Sequence, residues 1–263
     1  MKIRMLIENT AAQGDLVAEH GLSLFIETEK HKILFDAGQS GAFADNAARM
    51  GVDLAQADMA ILSHGHYDHG GGLFRFLEVN DHAPVYMHKF AFDAHYNGFV
   101  RYIGLDEKLK TSGRIIYTDD LHILDESMTL CTCNSSKRDY PSSGDGLYLQ
   151  TADGFVPDIF EDEQYLILEE KGKRIVISGC SHKGILNISQ WLKPDVLVGG
   201  FHFKGMDPEG EHREFLTRAA KQLKDSGAVY YTCHCTGEAA FGFMKSLMDR
   251  QLFYLSGGAE IEI

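Results

Sequence analysis

Three histidines and one aspartate fall within six positions, His64-Gly65-His66-Tyr67-Asp68-His69. Imidazole nitrogen and carboxylate oxygen are the usual ligands of zinc and similar divalent ions. His64 and His66 are two apart, so in extended backbone both side chains point the same way. Asp68 and His69 follow after the chain has turned and can face a second point a few ångströms on. That arrangement suits two cations, one holding a water and the other a substrate oxygen. The plainer reading, a polar turn with scattered histidines, requires four ligand-type residues in six positions by accident.

The elements around this cluster are those of an α/β protein. Asp58 to Leu62 is a short apolar run of the buried-strand type, and Leu73 to Leu77, after three glycines, starts a helix. Residues 1–8, 21–28 and 31–35 read as strands, Gly41 to Met50 as an amphipathic helix, and Val85 to His88 as a strand with His88 in packing. Tyr165 to Ser178 is a hairpin turning at Lys171-Gly172, and Ile185 to Leu192 is a helix stopped by Pro194. Val196–Val198 and Val229–Thr232 are strands, and Glu211 to Ser226 is a helix closed by Gly227. A further helix to about Arg250 and a last strand, Leu252 to Leu255, end the chain. Four strands thus end in histidine-bearing loops, at 64–69, 182, 202 and 234. Strand ends on one sheet edge converge, and α/β proteins place their sites there.

The middle of the chain is less regular. Residues 92–114 are aromatic-rich without clean periodicity, as in a lid, a substrate wall or a peripheral excursion. Residues 114–133 give two or three short strands, and 134–158 is the most loop-like part. Lys137 and Arg138 stand in that loop; they can meet a substrate phosphate or carboxylate, or simply solvate a loop tip.

Bulk properties narrow the partners. A chain of 263 residues with 44% hydrophobic content buries a substantial core, and even composition with five prolines predicts one domain, 1–263, with a lid or insertion around 92–114. A net charge of −13 disfavours nucleic acid. No apolar run is long enough for a membrane span. The start, Met1 to Glu8, is charged too soon for a secretion signal, and the five cysteines cannot all pair, so a reducing cytoplasm is expected. The partner is therefore a small molecule, anionic if Lys137 and Arg138 meet it; a homo-oligomer is left open.

His64-x-His66-x-Asp68-His69 resembles the signature of the metallo-β-lactamase superfamily. The stretches Gly179-Cys180-Ser181-His182-Lys183-Gly184, Gly199-Gly200-Phe201-His202 and Cys233-His234-Cys235-Thr236-Gly237 are similar to the subgroup related to an archaeal dihydropteroate-synthase-like enzyme. That enzyme is 7,8-dihydropterin-6-methyl-4-(β-D-ribofuranosyl)-aminobenzene-5′-phosphate synthase. The resemblance spans nearly the whole chain and is weakest at 92–160. It implies an αβ/βα sandwich, two mixed sheets face to face with helices outside and metals at one edge. Leu34-Phe35-Asp36-Ala37-Gly38 resembles the family's early Asp-x-Gly motif, in which the carboxylate supports the histidine loop; Asp36 can also cap the following helix. His234 matches the family's last metal histidine. The family pattern also has a histidine before the hairpin and an aspartate after it. Here Glu161-Asp162-Glu163 and Cys180 occupy those regions, so Cys180, His182 or Asp162 completes the ligand set. Cys180 has an alternative as a small buried thiol, and Cys233 and Cys235, flanking His234 on a strand, read as packing. Cys131-x-Cys133 and Cys233-x-Cys235 could together form a separate zinc site, though nothing in the sequence brings them together.

The resulting expectation is a hydrolase with one or two divalent ions, zinc first and iron or manganese next, held by His64, His66, Asp68, His69 and His234. Such ions activate a water that attacks carbon or phosphorus, with Asp68 as proton acceptor and His202 as oxyanion donor or acid. The alternatives are a pterin-condensing transferase, with the aromatic segment stacking the ring, and a non-catalytic metal or ligand sensor. A di-iron protein handling oxygen or nitric oxide ranks below these, because the chain has no room for a flavin domain.

Overall fold

Alternating apolar positions build two sheets whose inner faces meet. The computed structural model describes residues 1–12 and 14–263. The first half runs β1 (Lys2–Ile7), β2 (Ser23–Glu27), β3 (Lys32–Phe35), α1 (Ala42–Arg49), β4 (Met59–Ile61), α2 (Tyr67–Gly70), α3 (Leu73–Val79) and β5 (Val85–His88). Then come β6 (His95–Asn97), β7 (Arg101–Tyr102), β8 (Ile115–Thr118), β9 (Leu121–Asp125), β10 (Met128–Cys131), β11 (Leu147–Thr151) and β12 (Gly154–Pro157). The rest is β13 (Tyr165–Glu170), β14 (Lys173–Ile177), α4 (Ile185–Leu192), β15 (Val196–Val198), α5 (Arg213–Asp225), β16 (Val229–Thr232), α6 (Glu238–Met248), β17 (Leu252–Tyr254) and β18 (Glu260–Glu262).

Two seven-stranded mixed sheets, ordered β18-β1-β2-β3-β4-β5-β8 and β17-β16-β15-β14-β13-β10-β9, face each other. Residues two apart, such as Leu24 and Ile26, Ile33 and Phe35, Leu166 and Leu168, and Ile175 and Ile177, fill the layer between them. The alternate residues point outward: Phe25 and Leu34 pack under α1 and α3, while Tyr165, Val176 and Leu197 pack under α4, α5 and α6. Burial on both faces explains why these strands read as continuous apolar runs. The layering is the expected αβ/βα sandwich.

Three expectations are corrected. The loop-like 134–158 contains the β11–β12 hairpin, which joins β6 and β7 in a separate four-stranded sheet, β12-β11-β6-β7. These strands are short and half-exposed, so they lack the apolar runs that mark the large sheets. The chain does not end at β17: β18 adds an edge strand to β1, with Ile3 opposite Ile261. Finally, the four histidine loops do not share one sheet edge. One follows β4 of the first sheet and three follow β14, β15 and β16 of the second, which run parallel and so release their loops at one end.

Candidate metal centre

The two sheets deliver their loops to one buried rim, and the backbone there is held in conformations that side chains usually avoid. Asp36, Ser181, His202 and His234 have φ of 57°, 58°, 57° and 49°. A left-handed non-glycine residue costs about 1 kcal/mol, and such strain gathers at functional sites. Gly65 and Gly179 allow close approach. A Cβ at Gly65 would lie 1.9 Å from the Ala91 carbonyl oxygen, and one at Gly179 would lie 2.2 Å from Ser63 Oγ.

Buried acids anchor three of the four loops. Asp36 Oδ1 accepts the Ser63 amide at 2.7 Å, and its Oδ2 accepts Ser63 Oγ at 2.7 Å and His69 Nδ1 at 2.6 Å. Of the two expectations for Asp36, it holds the histidine loop; the following helix α1 starts after Gly41 and takes no side-chain cap. Glu163 accepts the amides of His182 and Lys183 at 2.6 and 3.0 Å and the Tyr165 hydroxyl at 2.6 Å. Glu8 accepts the His234 amide at 2.6 Å and the Tyr254 hydroxyl at 2.7 Å.

The outer nitrogens of four imidazoles all meet acceptors. The Ser63 hydroxyl gives its one proton to Asp36, so it accepts from His64 Nδ1 at 2.9 Å. The Ser143 carbonyl accepts from His182 Nδ1 at 3.2 Å. Asn9 Oδ1 accepts from His234 Nδ1 at 2.8 Å, while Asn9 Nδ2 donates to the His234 carbonyl. Asp36 takes the proton of His69 Nδ1. Each ring, when neutral, therefore turns a Nε2 lone pair inward.

Those inner atoms crowd each other. His64 Nε2 lies 3.2 Å from His182 Nε2 and 3.0 Å from His66 Nδ1. His69 Nε2 lies 3.2 Å from Cys180 Sγ, and His234 Nε2 lies 3.4 Å from Asp68 Oδ2. Lone pairs facing one another in a dry site repel unless a proton or a cation sits between them. Burial opposes the proton: it pushes His64 and His66 well down and His182 to about 4. Burial also lowers His69, but Asp36 and Asp68 outweigh it and raise that ring to about 9, marking a place where the fold favours positive charge. Burial raises the Cys180 thiol, with Cys235 adding to the effect.

The donor set fits metal ions. Tetrahedral zinc with Zn–N of about 2.0–2.1 Å implies N···N edges of about 3.3–3.4 Å, close to those of His64, His66 and His182. The buried Nε2 atoms of His66 and His234 have no hydrogen-bond partner among the described residues. Ligand-type clusters join His64, His66 and His182; His64, His69 and Cys180; Cys180, His234 and Cys235; and His20, Asp68 and His234.

Of the residues singled out in the sequence, His64, His66, Asp68, His69, Cys180, His182 and His234 are brought together. His202 joins them, its ring 4.4 Å from that of His182, and burial lowers it to about 3. Asp162 stands behind the ring of donors: its Oδ2 accepts the Gly65 amide at 2.6 Å and lies 3.6 Å from His95 Nε2. Lys137 is exposed and pairs with Asp139, and Arg138 bonds Ser142 and the Ile159 carbonyl; neither lines the cavity. Cys131 and Cys133 lie with sulfurs 3.8 Å apart, Cys233 is in the central core, and no described cluster unites these pairs.

Sequence reasoning missed three groups. His20, in the loop after β1, reaches Asp68 Oδ2 at 3.2 Å. His95 lies beside His66 with ring centroids 5.1 Å apart and bonds Asp158 at 2.7 Å. Cys235 lines the cavity, whereas the sequence places it in packing. The first two had no local signal, since a lone histidine among polar or aromatic residues is ordinary. The cavity encloses about 110 Å³, and Tyr67, Asn97, Arg101, Ile103 and Leu147 complete its wall. Arg101 is the one cation lining it among the described residues; its Nη2 donates to the Tyr67 hydroxyl at 2.9 Å.

The family model of the metallo-beta-lactamase superfamily matches residues 16–182. The chain belongs to the metallo-β-lactamase superfamily. It is 32% identical over 255 residues to the uncharacterized protein MJ0448 of Methanocaldococcus jannaschii, covering 93% of this chain and 94% of that one. It is 31% identical to the 7,8-dihydropterin-6-methyl-4-(beta-D-ribofuranosyl)-aminobenzene-5′-phosphate synthase of the same organism, covering 95% and 92%. Among solved structures, Tm1679, described as a metal-dependent hydrolase of the beta-lactamase superfamily, matches with a TM-score of 0.84 at 27% identity, covering 100% of this chain and 99% of that one. Zinc-bound PqqB from Methylobacterium extorquens shares the fold at 10% identity, with a TM-score of 0.60 and full coverage of both chains. No helix among the described residues is long and apolar enough to cross a membrane.

Proposed function

We propose that this protein is a metal-dependent hydrolase of an anionic small molecule. His64, His66 and His182 hold one divalent cation, and Asp68, His69, Cys180 and His234 frame a second, with zinc as the leading choice. The observation that carries this reading is the inward convergence of Nε2 lone pairs in a site where burial keeps the imidazoles of His64 and His182 from protonating. Bound divalent cations supply Lewis acidity and a water acidified toward neutral pH. Asp68, buried and facing His20 and His234, is placed to accept a proton. His202, neutral at pH 7, serves as an N–H donor to developing oxyanion charge rather than as an imidazolium acid.

The cavity is too narrow for a whole substrate. The reacting group enters it, and the remainder lies in the adjoining cleft of about 700 Å³ lined by Tyr67, Phe74, Tyr102 and Leu105. Arg101, which lines the metal cavity and has no carboxylate partner among the described residues, meets the substrate anion at the cavity wall, since the cleft itself carries Asp106 and Glu107. It takes the role that the sequence assigns to Lys137 and Arg138.

A second reading has a specific support. The M. jannaschii synthase is similar over 95% of this chain, so a transfer that joins a pterin methyl carbon to an aryl ribofuranosyl phosphate is the alternative to hydrolysis. In that case Tyr67 and Tyr102 stack the pterin ring.

One experiment separates the readings. Metal content is measured by elemental analysis, and turnover is assayed on phosphodiesters, lactones, thioesters and the pterin and aryl-phosphate pair, with and without chelator. Turnover that chelation removes and zinc restores, on one of these classes, is the expected result. Asp68→Asn should lower it by at least about 10³-fold. Protein that purifies without cations and ignores added zinc, manganese and iron would overturn the proposal.

A further inference from the structure

Neighbours on a strand point to opposite faces, so a chain that turns His234 into the cavity should turn Cys235 out of it. It does not. The left-handed backbone at His234 opens a single 3₁₀ turn, His234–Thr236, which swings Cys235 round to the same side. Cys235 is 5% exposed and lines the cavity beside Cys180. Cys180 Sγ, Cys235 Sγ and a ring nitrogen of His234 all lie within 4.8 Å of one another, and His234 Nε2 is buried without a partner. The Cys235 thiol donates only weakly, to the Cys180 carbonyl at 3.5 Å. The space is kept for this sulfur: a Cβ at Gly200 would stand 2.2 Å from it.

We infer that Cys235 is a second thiolate donor beside Cys180, so that Cys180, Cys235 and His234 frame a sulfur-rich position for a soft divalent cation. The inference rests on the metal reading above and adds a donor to it. The rim then has two chemically distinct positions, three imidazoles on one side and, on the other, two sulfurs beside His234, His69 and Asp68. On loading, each S–H bond breaks, its proton leaves to solvent, and the sulfur lone pair goes to the cation. Two thiolates favour zinc, cadmium or ferrous iron and disfavour magnesium and manganese, which take oxygen donors.

The test is a sulfur count. Metal-stripped protein is reloaded with zinc, its stoichiometry is fixed by elemental analysis, and zinc-edge X-ray absorption counts sulfurs at about 2.3 Å. Two sulfurs per chain are expected, falling to one in Cys235→Ser or Cys180→Ser and to none in the double variant. One sulfur in the unaltered chain, or a count that Cys235→Ser leaves at two, overturns the inference and leaves the metal centre standing. Sulfur that survives in the double variant assigns the signal to Cys131 and Cys133 and also overturns it. Failure to take up zinc at all would instead remove the reading beneath it. The count on the unaltered chain needs no variant, so a misfolded mutant cannot hide the answer.

Discussion

Two regions of the molecule face one cavity and are built on different terms. At the rim of the large sheets, His64, His69, His182 and His234 are nearly inaccessible, and the outer nitrogen of each is committed to an oxygen. Four left-handed residues hold the loops in place. The small sheet beside it brings Asn97, Arg101 and Leu147 to the same cavity, yet Phe99, Val100 and Tyr102 stand 59%, 90% and 44% exposed. A donor shell must be rigid because metal geometry is unforgiving, and its polar atoms are costly to bury unpaired. A recognition wall needs only shape and one or two charges. The contrast predicts that damage at the rim costs stability and metal together, whereas damage at the wall costs substrate affinity alone.

Asp36→Ala should have the largest effect. It strands the Ser63 amide, the Ser63 hydroxyl and His69 Nδ1 in a fully buried place. The expected loss is about 3–5 kcal/mol of unfolding free energy, with metal affinity down by about 10–100-fold. Urea unfolding and metal titration read the two effects. A variant that kept both would break the contrast, because the rim would then tolerate what only the wall should.

Arg101→Ala comes next. Removing one charge-assisted contact costs about 1.5–3 kcal/mol, so KM for an anionic substrate should rise by about 10–100-fold. Metal content, melting temperature and kcat should change little, since the guanidinium is exposed and its one hydrogen-bond partner among the described residues is Tyr67. Steady-state kinetics decide it: a loss confined to kcat would move Arg101 into the chemistry and blur the two regions.

The same contrast governs what could be read from the chain. The sandwich and the rim were legible because strands buried on both faces leave long apolar runs and because metal ligands cluster by type. His64 to His69 announce themselves within six residues. The wall left no such trace: β6, β7, β11 and β12 are two to five residues long and half-exposed. Hence 134–158 reads as loop, and Arg101, which lines the cavity, gives no signal beside Lys137 and Arg138, which do not line it. Cys235 escaped for another reason, since strand alternation holds only while the backbone stays extended, and His234 leaves it. His20 and His95 reach the site through tertiary packing, which no local pattern encodes.

Asp162 offers the smallest and sharpest test, because the sequence leaves it open as a ligand while its contacts in the fold are of another kind. As a metal ligand, it would lose metal on conversion to asparagine. The structure instead gives its Oδ2 to the Gly65 amide and sets it 3.6 Å from His95 Nε2, which has no partner. Burial raises Asp162 to about 6, with His95 opposing. A carboxyl raised in the folded state contributes stability that is present below its ordinary value near 4 and is lost as pH climbs through about 6. His95 is also raised: burial lowers it, but Asp162 and Asp158 outweigh that, so its contribution too fades with rising pH. Asparagine keeps an oxygen for the Gly65 amide, the same oxygen that faces His95 Nε2, while Asp158 still holds His95 Nδ1. Asp162→Asn should therefore keep its full metal content and gain about 1 kcal/mol over the parent chain at pH 7, with the gain vanishing near pH 4. Unfolding of both proteins at each pH gives the difference directly, and the shared pH dependence of metal binding cancels. Loss of a cation in this variant would return Asp162 to the donor ring.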